Sequence, residues 1–161
     1  MMSTIILAVI LGVGATVIMD LWAVFLALLK IPTLNLSMIG RWIGHMFKGQ
    51  YFHHPISQSA PIKNETALGW CAHYGIGIVF AFIFLIAMGE QWLTHPTFWS
   101  AYLWGVITII APYFMMQPAL GAGVMASKTP FPNKARLLSF LSHSAYGVGL
   151  YFTGVVVSWF F

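Results

Sequence analysis

The sequence has 161 residues, 60% of them hydrophobic and only 6% charged, with a net charge of +4. A soluble domain carries about a quarter charged residues, so this composition belongs to a chain whose solvent is lipid. Seven basic side chains, all flanking apolar segments, exclude a nucleic-acid surface, and the lone cysteine, Cys71, excludes an internal disulfide.

Taken in chain order, the first apolar stretch runs from Thr4 to Leu29 and is broken only by Asp20. No basic residue precedes it, as a signal peptide would require, so it reads as a retained transmembrane helix over 4–29. A shorter segment over 37–48 is amphipathic. Met38, Ile39, Trp42, Ile43, Met46 and Phe47 fall on one helical face, with Arg41, His45 and Lys48 on the other. That pattern predicts a helix in the headgroup plane with its basic side toward water or lipid phosphate, either a gate or a plain surface anchor. Tyr51–Pro61, with His53-His54 and two prolines, reads as an irregular loop.

Three further apolar stretches, over 66–88, 98–117 and 136–160, are each about the 20 residues a span needs. Pro112 interrupts the third and Gln117-Pro118 ends it. Beyond it, Ala119–Ala126 either extends the helix or folds back. The expected fold is therefore all-α, a polytopic four-transmembrane-helix bundle forming a single domain over 1–161. Lys30, Arg41, Lys48, Lys63, Lys128, Lys134 and Arg136 all lie in or beside the first and third connections, while the hairpin 89–97 has no Lys or Arg. By the positive-inside rule both large loops are cytoplasmic and both termini lie on the other side.

An internal similarity suggests duplication. Tyr74-Gly75-Ile76-Gly77 in the second span resembles Tyr146-Gly147-Val148-Gly149 in the fourth, which would make two parallel two-helix repeats. The alternative is convergence on small-residue helix packing.

Ionisable groups inside a membrane are costly, so each needs an explanation. Asp20, His73 and His143 sit at similar distances, roughly 10–15 Å at 1.5 Å per residue, from the charged ends of their spans. Each lies on a stripe of small or polar residues: Gly12, Thr16 and Asp20; Gly69, His73 and Gly77; Ser139, His143 and Gly147. These stripes are expected to converge on one polar interior that binds or transports a ligand, with Thr16 contributing. Glu65, Gln117 and His45, at the cytoplasmic boundary, would form a vestibule. The alternative is a set of hydrogen bonds that only fixes packing. No zinc spacing, nucleotide loop or activated nucleophile is recognisable, which points away from an enzyme.

Asp20-Leu21-Trp22, Gly40-Arg41-Trp42 with His45, Glu65 with Gly69-Trp70 and His73-Tyr74, Gln117-Pro118, Lys128-Thr129-Pro130 and His143 together resemble the bacterial membrane family labelled "domain of unknown function 2938". The resemblance covers almost the whole chain. It implies a bacterial multi-pass membrane protein, hence the inner membrane with periplasmic termini, and implies no activity. Three functions then compete. The first is a small proton-coupled or metal-ion transporter or channel built on Asp20, His73 and His143. The second is a haem or metal redox protein with His73 and His143 as ligands, Gly69, Gly75, Gly77, Gly147 and Gly149 leaving room for a macrocycle. Asp20 would join the two histidines if the ligand were a metal ion. The third is a non-catalytic subunit or scaffold. The expected partners are the lipid bilayer and a second copy or another membrane subunit.

Overall fold

The computed structural model describes residues 3–160, which contain helices and turns and no strand. Five helices carry the architecture: α1 (Thr4–Leu28), α2 (Leu36–Met46), α3 (Glu65–Met88), α4 (Phe98–Ile107) and α5 (Pro132–Ser158). Four segments are long and apolar enough to cross a membrane: Thr4–Leu28, Glu65–Met88, Phe98–Ala119 and Pro132–Ser158.

Local chemistry sets the boundaries. Asn35 caps α2 by accepting the Ser37 N–H at 3.0 Å. α5 begins four residues before the expected Arg136, because proline suits a first helical turn, where its missing N–H has no partner to lose. Arg136 therefore lies inside the helix, donating to the Met125 carbonyl at 2.9 Å and to Asn133 Oδ1 at 3.0 Å.

Proline also explains the third span. Beyond α4 the chain widens into a π turn over Pro112–Met116 before one last helical turn, Gln117–Ala119. Pro112 removes one N–H and crowds the preceding turn, and the Gln117 N–H reaches the Pro112 carbonyl five residues back. After Ala119 the chain folds back, turning at Gly121 (φ 89°) and Gly123 (φ 76°), values that glycine alone adopts without strain.

The described residues fall into two compact units, one built from 3–32, 74–108 and 140–160, the other from 33–73 and 109–139. In the first, Leu7, Leu11, Ala15, Ala81, Phe84, Leu93, Ala101 and Leu150 form a buried core. Glycines let its helices touch backbone to backbone. A Cβ on Gly12 would lie 2.5 Å from Ile78 Cα, one on Gly77 2.2 Å from Thr16 Oγ1, and one on Gly105 2.4 Å from Gly147 Cα. Gly12 and Thr16 of α1 thus face Gly77 of α3. The stripe on α5 does not join them: Gly147 meets α4, and it is Gly149, off that stripe, that presses on Ala15 of α1. The hairpin after α3 is itself folded. Trp92 stacks edge-on against Phe84 (centroids 4.8 Å apart) and donates to Ser100 Oγ at 2.8 Å, while Thr4 donates to Glu90.

In the second unit α2 crosses the start of α3 at a glycine pair. A Cβ on Gly40 would lie 1.8 Å from the Glu65 carbonyl oxygen, and one on Gly69 2.0 Å from that of Leu36. This crossing corrects the amphipathic reading of α2. Its buried face is Ile39, Gly40, Arg41, Gly44 and His45, and the apolar Phe47, just beyond the helix, is 84% exposed. Close approach needs glycine, so the side carrying Gly40 and Gly44 faces inward and takes Arg41 and His45 with it. Lys48 is exposed.

Candidate polar sites in the two units

In the first unit, Asp20 lies on α1, eight residues before its end, or ~12 Å along the axis. Its Oδ2 accepts a hydrogen bond from the Tyr74 hydroxyl at 2.8 Å. That bond orients the carboxylate toward α3. On the other pair of helices, His143 Nδ1 lies 2.7 Å from Thr108 Oγ1. Thr108 has a single hydroxyl proton, and its geometry directs that proton to the Gly105 carbonyl at 2.6 Å. The imidazole Nδ1–H then donates to the threonine oxygen. Tyr146 donates to the Gly77 carbonyl at 2.7 Å, and Ser144 to Tyr102 at 3.3 Å. Thr16 is used for packing: its hydroxyl bonds the Gly12 carbonyl at 2.7 Å and its side chain fills the space over Gly77.

The second unit holds the remaining expected residues. His73 stands edge-on to Trp70, ring centroids 6.2 Å apart. Arg41 and Glu65 form a two-pronged ion pair, Nη2–Oε1 2.7 Å and Nε–Oε2 2.8 Å, and Arg41 also donates to the carbonyls of Ser57 and Ser59. The carboxylate of Glu65 holds the guanidinium above its ordinary pKa. Glu65 Oε2 additionally accepts the Ile62 N–H at 2.9 Å, closing the start of α3. Arg41 and Glu65 are thus committed to each other and to the loop between them rather than to lipid or a vestibule. Gln117 donates to Ser139 Oγ at 3.3 Å, and its buried carbonyl oxygen has no partner among the described residues.

The loop after α2 is ordered around His53, only 2% exposed. Its Nδ1 lies 2.7 Å from Ser59 Oγ, its ring is edge-on to His45 at 5.1 Å, and its backbone N–H donates to the Ala119 carbonyl at 2.9 Å. His45 donates through Nε2 to the Ala60 carbonyl at 2.9 Å. Burial, and then the neighbouring His45, push the His53 imidazole below its ordinary pKa.

The family model described as "Protein of unknown function (DUF2938)" matches residues 9–157, nearly the whole chain. The chain belongs to that family. No curated protein and no solved structure matches it.

For this DUF2938 member, the described residues contain no group of three or more His, Cys, Asp or Glu side chains placed to hold a metal ion, so the Asp20–His73–His143 metal set finds no support. The macrocycle reading also loses its space. Of the five glycines invoked for it, Gly69, Gly77, Gly147 and Gly149 are closed over by neighbouring helices, and only Gly75 faces an open gap. The sequence reading missed Tyr74 and Thr108, the partners of Asp20 and His143. Ionisable type drew attention to the acid and the imidazole, whereas hydroxyl groups within a span blend with the packing residues around them. Thr108 had one signal: Thr108-Ile109-Ile110-Ala111-Pro112 weakly matches Thr16-Val17-Ile18-Met19-Asp20.

Proposed function

We propose that this protein is a multi-pass bacterial inner-membrane protein whose function is proton-coupled transport, with Asp20 as the proton-carrying group and Tyr74 as the residue that positions it. The observation that carries this reading is the Asp20–Tyr74 hydrogen bond within segments long enough to span a bilayer. A carboxylate at that depth is costly unless it is used. The chain has three acidic residues, and the other two sit at segment ends: Glu65 opens α3 and Glu90 lies in the hairpin. In its ionised form Asp20 accepts the tyrosine hydroxyl proton as a hydrogen bond; once protonated, it donates instead. The pair therefore supports both states and exchanges between them without moving the backbone. The bias of basic residues toward the first and third connections supports an orientation with those loops in the cytoplasm and both termini in the periplasm.

Proteoliposomes carrying a pH-sensitive dye test the transport claim. Wild-type protein should dissipate an imposed pH gradient, Asp20→Asn should not, and Tyr74→Phe should slow the flux about tenfold. Flux in Asp20→Asn equal to that of the wild type would remove Asp20 from the mechanism and leave a scaffold role as the better reading.

A further inference from the structure

A second site lies on the loop that follows the third span. There, His54, Pro118, Gly121, Gly123, Val124, Ser127 and Lys128 line an open cleft of about 320 Å³. Several features fix its shape. Gly121, at φ 89°, lies so close to the preceding loop that a Cβ would come 2.5 Å from the His53 carbonyl oxygen and 3.0 Å from Pro55 Cα. This contact seats the His53–Pro55 segment, and with it His54, against one side. On the other side the Ser127 and Lys128 side chains fold over Gly123, whose added Cβ would lie 2.5 Å from Ser127 Oγ and 2.9 Å from Lys128 Cγ. The Lys128 N–H closes the loop onto the Ala122 carbonyl at 2.8 Å, and Arg136 clamps it through the Met125 carbonyl at 2.9 Å. Met125 (φ 51°) and Ala126 (φ 58°) are held in the left-handed region, which side-chain-bearing residues rarely adopt.

The cleft is thus lined by a lysine, a histidine and a serine. Among the described residues no carboxylate is paired with them. Of the chain's three acids, Asp20 is bonded to Tyr74, Glu65 to Arg41, and Glu90 accepts from Thr4. We propose that Lys128, His54 and Ser127 form a binding site for a phosphate oxyanion, carried either by an anionic phospholipid headgroup or by a small phosphate compound. Lysine supplies a point charge, and the imidazole and hydroxyl supply directed donors, a set suited to a tetrahedral oxyanion. The site is independent of proton transfer at Asp20.

The test is calorimetric titration of the purified full chain in neutral detergent with three probes: inorganic phosphate, short-chain phosphatidylglycerol and short-chain phosphatidylcholine. Saturable binding of phosphatidylglycerol well above the other two identifies a lipid headgroup as the ligand; binding of inorganic phosphate at least as tight identifies a soluble one. In either case Lys128→Gln and His54→Gln should each weaken binding about fivefold or more, while Lys63→Gln, a basic residue outside the cleft, should leave it unchanged. All three side chains are exposed, so these variants leave the core intact. Absence of saturable binding for every probe overturns the proposal. So does an unchanged affinity in Lys128→Gln, or an equal loss in Lys63→Gln, which would reduce the effect to general surface charge.

Discussion

Replacing Gly40 by alanine adds one carbon at the place where α2 meets the start of α3. That carbon would stand 1.8 Å from the Glu65 carbonyl oxygen and 2.7 Å from the Gly69 nitrogen. Both atoms are backbone and cannot rotate aside. Restoring an ordinary carbon–oxygen contact requires the helices to separate by about 1.5 Å, which also strains the Arg41–Glu65 pair next to the crossing. Overpacking of this sort costs about 3 kcal/mol. Alanine's better helix propensity returns about 1 kcal/mol, leaving a net loss near 2 kcal/mol. For a chain of this size that lowers the apparent melting temperature by roughly 4–8 °C. Gly75→Ala is the matched control, because it lies in a helix with nothing within 4 Å of an added Cβ. It retains only the propensity gain, so its melting temperature should rise by roughly 2–4 °C. Thermal unfolding of both variants in detergent, followed by size-exclusion recovery, separates the two expectations. A Gly40→Ala protein as stable as wild type, or a Gly75→Ala protein as damaged as Gly40→Ala, would refute the backbone crossing.

The pH dependence follows from His53. Its folded pKa lies below the ordinary value, so the unfolded chain binds the proton more readily, and stability is full above about pH 6.5 and declines as pH falls from there toward the folded value. Limited proteolysis within 49–64 should accelerate between pH 7.5 and 5.5, and His53→Gln should flatten that slope; an equal slope in the variant would show that another group is responsible. Thr108→Val removes the acceptor of His143 Nδ1 and should cost about 1 kcal/mol, read as a fall of roughly 2–4 °C in melting temperature, with Thr108→Ser largely restoring it. For orientation, single cysteines replacing Lys48 or Lys128 in a Cys71→Ser background should react with a membrane-impermeant maleimide from the cytoplasmic side only; labelling from the outside would reverse the assigned topology.

Hydropathy made the four long apolar helices legible, because few sequences sustain that length with so little charge. The ends shifted where proline set the rule, at Pro132 and through the π turn after Pro112. The stripes of α1 and α3 were legible as inward-facing, but Gly12, Thr16 and Gly77 pack on one another while Gly69 packs on α2. Which helix each stripe meets was not legible, and α5 shows why: Gly147 and Gly149, two residues apart, face different neighbours. α2 was misread because an amphipathic pattern is ordinarily scored as apolar in and charged out, while here glycine determines the buried side. Arg41 and Glu65 are 24 positions apart, and nothing local to either announces the pair. Likewise, Asp20 stood out as an intramembrane acid, but its bond to Tyr74 spans 54 positions and depends on the crossing of α1 and α3.

The central claim is that Asp20 gains and loses a proton inside the bundle, and infrared difference spectroscopy reads that event directly. With three acidic side chains in the chain, the protonated-carboxyl region is sparsely populated. Reconstituted wild-type protein, compared with and without an imposed pH gradient, should show one carboxyl C=O band that shifts in deuterium oxide, is displaced in Tyr74→Phe and is missing in Asp20→Asn. A band that persists unchanged in Asp20→Asn would contradict the assignment.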